Sequence, residues 1–132
     1  MNEFNEVRDH GGERLKFQGG AEREAATNKG RFDLVPPLPL VRLAKHYEAG
    51  ARKYAERNWE KGLPLSRFID SAFRHLVQFM MGERSEDHLA AVLWNIAGYI
   101  QTEAWIRQNK LSPNLHDVPW PDSTDTTAET KA

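Results

Sequence analysis

Apolar residues recur at helical spacing in three stretches of the chain. The first stretch follows Pro36-Pro37-Leu38-Pro39, and a helix is predicted to begin there because proline is tolerated in a first turn. Its apolar side carries Leu40, Leu43, Ala44, Tyr47, Ala51 and Tyr54 at 3.6-residue spacing. Arg42, His46 and Lys53 fall together on another face of this helix.

The second stretch predicts a helix from Arg67 to Met81, with Ser66 as its N-cap and Gly82 at its end. Its apolar arc is broad and comprises Phe68, Ile69, Ala72, Phe73, Leu76, Val77, Phe79 and Met80. The opposite face carries Arg67, Asp70, Ser71, Arg74 and Gln78. His75 lies on the border between the two faces.

The third stretch predicts a helix that Ser85 caps, with Glu86 and Asp87 in the first turn, where the helix dipole favours acids. The helix is expected to fade near Asn109. Its expected core stripe is Leu89, Val92, Leu93, Ile96 and Ile100. A stripe of small and polar residues on the far side comprises His88, Ala91, Asn95, Gly98 and Thr102. Since no charged face runs along it, we expect burial all round, with room beside the small residues for something other than side chains.

The flanking segments lack such periodicity. Residues 1–30 contain Gly11-Gly12 and Gly19-Gly20 and are predicted to form an irregular N-terminal arm. Residues 31–110 form the helical domain, and residues 111–132 a flexible C-terminal tail that is either disordered or draped. No strand is predicted. The fold class is therefore all-α, a small bundle with three main helices whose small core and broad apolar faces favour a homo-oligomer.

Composition excludes several classes of function. The formal net charge of −1 over 132 residues gives no electrostatic case for binding nucleic acid or a membrane surface. The absence of cysteine excludes disulfides and thiolate metal sites and fits a reducing cytosol. The longest apolar stretch, from Leu89 to Ile100, is too short to span a bilayer, and the N-terminus is polar rather than signal-like. We expect a cytoplasmic protein.

Acids and imidazoles cluster where the second helix gives way to the third. The cluster comprises Glu83, Glu86, Asp87 and His88, with His75 about two turns back. Carboxylate oxygens suit Mg²⁺ and Mn²⁺, and Mn²⁺ also accepts imidazole. Glu86 and Asp87 are equally explained as dipole and capping residues, which leaves Glu83 as the better candidate ligand. His75 is either a ligand or a hydrogen-bonded core histidine.

Asn95 and three cations have two interpretations each. Asn95 interrupts an apolar run, so its amide either forms an inter-helix hydrogen bond or contacts a metal or ligand. Lys53, Arg57 and Arg74 are cations that could bind phosphate groups. Each of them is otherwise a solvated surface residue.

A polar loop offers a candidate site for a base. Trp59 is a stacking platform for a purine or a loop anchor, and the Asn58 amide could hydrogen-bond a purine edge. His116-Asp117 spells the dipeptide of HD-type phosphohydrolases. It lies in the tail without a supporting His and Asp upstream, so we assign no site to it.

Short motifs follow one another in order between Lys29 and Asn95. They are Lys29-Gly30-Arg31-Phe32-Asp33-Leu34-Val35-Pro36, Gly50-Ala51-Arg52-Lys53-Tyr54, Arg57-Asn58-Trp59-Glu60-Lys61-Gly62, Arg74-His75-Leu76, Gly82-Glu83, His88-Leu89 and Trp94-Asn95. The series resembles the small phage-encoded dATP/dGTP diphosphohydrolases, which are MazG-like helical enzymes. The larger all-α NTP pyrophosphatases carry Glu-x-x-Glu and Glu-x-x-Asp pairs on single helices, and this chain lacks that arrangement. Glu83-Arg84-Ser85-Glu86 has the first spacing but straddles a predicted helix break, so it would not present both acids on one helix face. Val92 and Asn95 stand in the second pair's place, and Ala91 replaces a common family histidine.

The resemblance implies a metal-dependent enzyme of phage nucleotide metabolism that converts dGTP or dATP to the monophosphate and pyrophosphate. It implies Mg²⁺ or Mn²⁺, homo-oligomerisation as a dimer or tetramer, and no nucleic-acid or membrane partner. The implied metal ligands are Glu83, Asp87, His75, His88 and Asn95, of which Glu83, Asp87 and His75 are catalytic. Lys53, Arg57 and Arg74 would hold phosphates, and Asn58 and Trp59 the purine. The alternative, favoured by the missing acids, is a helical protein that binds nucleotide or a host protein without turnover.

Overall fold

The computed structural model describes Val7 and residues 12–126 and divides the chain into two compact units, Met1–Pro36 and Pro37–Ala132. In the first unit, strands β1 (Arg14–Lys16) and β2 (Glu22–Glu24) pair antiparallel, and a short 3₁₀ turn follows at Phe32–Leu34. Part of the predicted irregular arm, including Gly11, lies outside the described residues. The strands were not predicted from the sequence, because three-residue strands rich in charge carry no alternating apolar pattern.

The second unit contains the helices α1 (Pro37–Lys53), α2 (Leu65–Met80) and α3 (His88–Arg107). Two short 3₁₀ segments, Asn58–Lys61 and Pro113–Leu115, complete it. The prediction of a small, mostly helical bundle with three main helices is confirmed. No helix among the described residues has the length and apolar content needed to cross a membrane.

The core lies mainly between α2 and α3. Leu65, Phe68 and Tyr99 form its buried centre. The Phe68 ring packs directly on the backbone of Gly98, where an added Cβ would lie only 2.5 Å from Phe68 Cε1. A glycine at this position therefore sets how closely the two helices approach.

The prediction that α3 is buried all round, with a core stripe that includes Leu93, Ile96 and Ile100, is wrong. The stripe of small and polar residues, His88, Ala91, Asn95, Gly98 and Thr102, is the buried one. In the expected core stripe, Leu93, Ile96 and Ile100 remain 40%, 40% and 57% exposed. The reason is steric: small residues let α2 pack closely, and the space beside Gly98 is filled by a side chain of the protein itself.

Two predicted N-caps are also wrong. The α2 cap is Pro64, which makes no side-chain capping bond, while Ser66 lies inside the helix and donates to Asp117 from N (2.9 Å) and Oγ (2.5 Å). The α3 cap is Asp87, whose Oδ1 accepts from the Ala90 amide at 3.0 Å. Several adjacent residues could serve as caps, and tertiary partners decide which one does. Gly82, with φ of 89°, follows the end of α2 as predicted.

The segment after α3 lies against the helices as far as residue 126. Trp120 Nε1 donates to the Tyr99 hydroxyl at 2.8 Å. The Ser123 amide donates to Glu103 at 2.8 Å, and the Ser123 hydroxyl binds the same carboxylate. Because Glu103 is only 2% exposed, these bonds satisfy a buried carboxyl group. These bonds connect the described part of this segment to α3.

Candidate functional site

A cleft of about 920 Å³ lies within the helical unit. This volume suits a small-molecule ligand. Polar and aromatic side chains from α1, the following loop, α2 and α3 line it: Arg42, Lys45, His46, Tyr47, Lys53, Tyr54, Arg57, Asn58, Trp59, Ser71, His75, Glu86, Asp87, Trp94 and Asn95. The cleft thus brings together residues that the sequence analysis had assigned to metal and to substrate.

Two histidines and one glutamate converge where α2 and α3 meet. His75 Nδ1 lies 2.9 Å from His88 Nδ1, and Glu86 Oε1 lies 3.2 Å from the former and 3.4 Å from the latter. Ligand atoms bound about 2.1 Å from one divalent cation lie roughly 3.0–3.4 Å apart, so the three atoms fit a shared cation. The 2.9 Å separation is also a hydrogen-bond distance, in which one of the two rings donates.

Glu83 lies behind His88 rather than among these three atoms. Its Oε2 contacts His88 Nε2, and its Oε1 accepts from the Ser85 amide at 2.5 Å. Hydrogen bonds from Ser85, and then from His88, lower the Glu83 pKa to about 2. The carboxylate is therefore ionised at neutral pH and accepts a hydrogen bond from His88 Nε2, which leaves His88 Nδ1 facing His75 and Glu86.

Asp87 is occupied by protein groups. Arg42 donates to both of its oxygens, at 2.8 and 2.5 Å, while Oδ1 also caps Ala90. The Arg42 bonds are the main reason that the pKa of Asp87 falls to about 2. The carboxylate connects α1 to the first turn of α3 and so fixes the backbone between Glu86 and His88.

The surroundings of His46 and His75 lower the pKa of both imidazoles and so favour their neutral forms. Partial burial, followed by the nearby charge of His75, lowers the pKa of His46. Burial is also the largest cause that lowers the pKa of His75, although Glu86 opposes it. A neutral imidazole can bind a cation or accept a proton, whereas a protonated one can do neither.

Asn95 is buried, and its amide forms the inter-helix hydrogen bond that was one of its two interpretations. Its Nδ2 donates to the carbonyl of Ala91 at 2.8 Å and to Ser71 Oγ on α2 at 3.3 Å. Its side chain also borders the cleft. The inter-helix hydrogen bond accounts for an asparagine in an apolar helix, and it leaves the amide oxygen as the group available to the cleft.

The positively charged side chains that were assigned to the site differ in the contacts that they make within the protein. Arg57 pairs with Glu60 at 2.8 Å, and Lys53 Nζ lies 5.1 Å from the centre of the Tyr54 ring. In the described part of the chain, neither Lys45 nor Lys53 forms an ion pair. The structure places Arg74 outside the cleft lining, where it pairs with Asp70.

Trp59 lies in the cleft wall with one face already covered. Its ring stacks on Trp105, with centroids 5.5 Å apart and planes within 8°, and the edge of Tyr47 approaches it at 6.3 Å. This arrangement anchors the loop, as the alternative interpretation required. Tyr47 also contacts Trp94, so that these rings form a continuous aromatic wall.

The cleft contains charged and imidazole side chains that were not assigned from the sequence, namely Arg42, Lys45, His46 and Glu86. Glu86 was set aside as a helix-dipole residue, and its role depends on the ring of His75, eleven residues away in the chain. Arg42 and His46 share a face of α1 with Lys53, which was the only signal available for them. Their partners come from α3 and could not be known before the helices were packed.

Comparison with known families identifies the chain. No curated protein and no solved structure matches it. The family model described as dATP/dGTP diphosphohydrolase, N-terminal, matches residues 19–111, more than half of the chain and all three helices. The chain therefore belongs to the dATP/dGTP diphosphohydrolase N-terminal family, as its motifs had indicated.

Proposed function

We propose that this protein hydrolyses a purine deoxynucleoside triphosphate, dGTP or dATP, to the monophosphate and pyrophosphate in the cytoplasm of a phage-infected host. The observation that carries the proposal is the cleft itself. It joins a two-histidine, one-glutamate group to lysines without carboxylate partners in the described chain and to an aromatic wall. Family membership supports the same reaction class.

His75, Glu86 and His88 would hold the divalent cation, Mg²⁺ or Mn²⁺. A bound cation of this kind supplies Lewis-acid stabilisation of phosphate oxygens and lowers the pKa of water. This ligand set differs from the sequence prediction, which omitted Glu86. Glu83 acts by orienting His88 and Asp87 by fixing the start of α3, since their oxygens are occupied by protein donors.

Lys45, Lys53 and Arg57 would bind the phosphates, because they border the same cleft as the metal group. Charge-assisted hydrogen bonds to phosphate are the strong kind. Asn58 would read the purine edge. The base would lie along the aromatic wall, with the exposed part of Trp59 contributing beside Tyr47 and Trp94.

The reaction consumes one water and balances without any other reactant. The water oxygen forms a bond to one phosphorus of the α–β bridge, and the bond from that phosphorus to the bridging oxygen breaks. We assign the proton released by the water to His46, the neutral imidazole of the cleft outside the metal group. Pyrophosphate leaves with the charge spread over its oxygens.

The active form is proposed to be a homo-oligomer. Leu93, Ile96 and Ile100 form an exposed apolar stripe along α3, and a second copy is the partner that a small helical unit with a limited core favours. Sedimentation equilibrium should give a dimer or tetramer for the wild type and a monomer for Ile96→Glu. A monomeric wild type would contradict this part of the proposal.

A nucleotide panel tests the activity. The protein is incubated with each dNTP and NTP in Mn²⁺ or Mg²⁺, with and without chelator, and the products are resolved. We expect monophosphate and intact pyrophosphate, most from a purine deoxynucleotide, and none after chelation. Glu86→Gln should lose activity, whereas Glu48→Gln, on the part of α1 outside the cleft lining, should keep it. No turnover by folded, metal-loaded protein would instead support the non-catalytic binding alternative.

A further inference from the structure

The chemistry of the converging donors bears on which cation the site takes. Two of the three atoms are imidazole nitrogens, and one is a carboxylate oxygen. Mg²⁺ prefers oxygen ligands and keeps several waters, whereas imidazole suits first-row transition metals. Two histidines and one carboxylate on one face of a cation are a familiar arrangement for such metals.

The neighbouring carboxylates do not convert the group into an oxygen-rich site. Glu83 is bound to His88 Nε2 and to the Ser85 amide. Asp87 is held by the two nitrogens of Arg42 and by the Ala90 amide. Recruiting either acid as a ligand would break charge-assisted bonds, which cost more to lose than neutral ones.

Glu83 also prepares His88 for this role. With its Nε2 directed at the Glu83 carboxylate, His88 points Nδ1 at His75 Nδ1 and Glu86 Oε1. His88 is only 2% exposed, so its ring cannot easily rotate out of this orientation. The nitrogen donor is therefore built into the fold before any cation arrives.

We infer that the His75–Glu86–His88 group selects a transition-metal cation, such as Mn²⁺ or Co²⁺, over Mg²⁺. The inference rests on the proposed function only in taking this cation as the one that serves hydrolysis. The selection resides in the free protein, and it is therefore measurable without nucleotide.

Calorimetric titration of the chelator-treated full chain with MgCl₂, MnCl₂ and CoCl₂ tests the inference. Affinity should rise from Mg²⁺ through Mn²⁺ to Co²⁺, with at least about tenfold between Mg²⁺ and Mn²⁺. Bound Co²⁺ should also show visible absorption bands that change when an imidazole ligand is removed. Equal or tighter binding of Mg²⁺ would overturn the inference.

Substitutions of His75 and Glu86 test which residues bind the cation, and they leave the buried ring of His88 unchanged. His75→Ala should weaken Mn²⁺ binding about tenfold or more, since it removes one nitrogen donor. His75→Asn places an oxygen donor nearby and should narrow the preference for Mn²⁺ over Mg²⁺. Glu86→Gln should weaken all three cations, and Glu48→Gln none. Wild-type Mn²⁺ affinity in folded His75→Ala and Glu86→Gln would place the cation elsewhere and refute the inference.

The proposed function and this inference can fail separately. Selective Mn²⁺ binding without hydrolysis of any nucleotide would refute the proposed function and support the inferred metal selectivity. Hydrolysis by a protein that binds Mg²⁺ as tightly as Mn²⁺ would support the proposed function and refute the metal selectivity.

Discussion

Arg42 on α1 binds both carboxylate oxygens of Asp87 at the start of α3, with Nε 2.8 Å from Oδ2 and Nη2 2.5 Å from Oδ1. The same carboxylate caps α3 through the Ala90 amide. Since Asp87 lies between Glu86 and His88, this pair positions two residues of the proposed metal-binding group.

Substitutions of Asp87 and of Arg42 test how much the pair stabilises the fold and whether it positions Glu86 and His88. Asp87→Ala removes a cap and an ion pair and should lower the free energy of unfolding by about 1–2 kcal/mol. Arg42→Ala removes only a partly exposed ion pair and should destabilise the fold less than Asp87→Ala does. Urea unfolding of the two variants checks this order. Both variants should also weaken Mn²⁺ binding, and unchanged binding in folded protein would show that Asp87 does not position the group.

Stability should fall in two stages as the pH decreases. His46 and His75 have pKa values below the ordinary 6.5, so the unfolded chain takes up their protons first and stability declines from about pH 6.5 downward. Glu83 and Asp87 have pKa values near 2, so their contribution is complete above the unfolded values and is lost as the pH falls toward 2. Thermal unfolding across pH measures both stages. His46→Gln should diminish the first stage and Asp87→Asn the second, and an unchanged profile in either would contradict the assignment.

Gly98 should be intolerant of alanine. The added Cβ would lie 2.5 Å from Phe68 Cε1, so Gly98→Ala must separate α2 from α3 and should cost about 1–3 kcal/mol. Gly50 in α1 is the matched control, since a Cβ there meets nothing within 4 Å. Gly50→Ala should therefore raise stability by about 0.5–1 kcal/mol. Equal effects of the two substitutions in urea unfolding would contradict the close packing at Gly98.

Arg57 is expected to contribute to nucleotide binding while its backbone conformation lowers the stability of the fold. It has φ of 60°, in the left-handed region that favours glycine. Arg57→Gly should leave the free energy of unfolding unchanged or raise it by up to about 1 kcal/mol. Nucleotide affinity should nevertheless fall about tenfold, the usual effect of losing a charged hydrogen bond. Arg52→Ala, outside the cleft lining, is the control. Full affinity in Arg57→Gly would exclude a phosphate contact.

Asp117 is expected to contribute to the stability of the fold and not to catalysis. It accepts from the amide and the hydroxyl of Ser66 and supplies the cap that Pro64 cannot. Asp117→Ala should cost about 1–2 kcal/mol in urea unfolding, with Asp117→Asn costing less because its amide oxygen still accepts. Both variants should retain full turnover at low temperature. Lost turnover in the folded asparagine variant would reopen a catalytic role for the His116-Asp117 dipeptide.

The sequence by itself determined the helices and the family. Apolar periodicity, the prolines at the start of α1 and Gly82 after α2 are local signals, and each acts within a few residues of the element it limits. The ordered motifs between Lys29 and Asn95 indicated the diphosphohydrolase family for the same reason, since they can be read along the chain.

Only the tertiary structure decided which face of α3 is buried and which partners the clustered carboxylates contact. Gly98 looked like open space until the Phe68 ring was placed against it. Glu83, Glu86 and Asp87 look alike in the sequence, yet one orients His88, one faces the two imidazoles and one is held by Arg42. A carboxylate's role depends on the donors around it, and here several of those donors come from other helices.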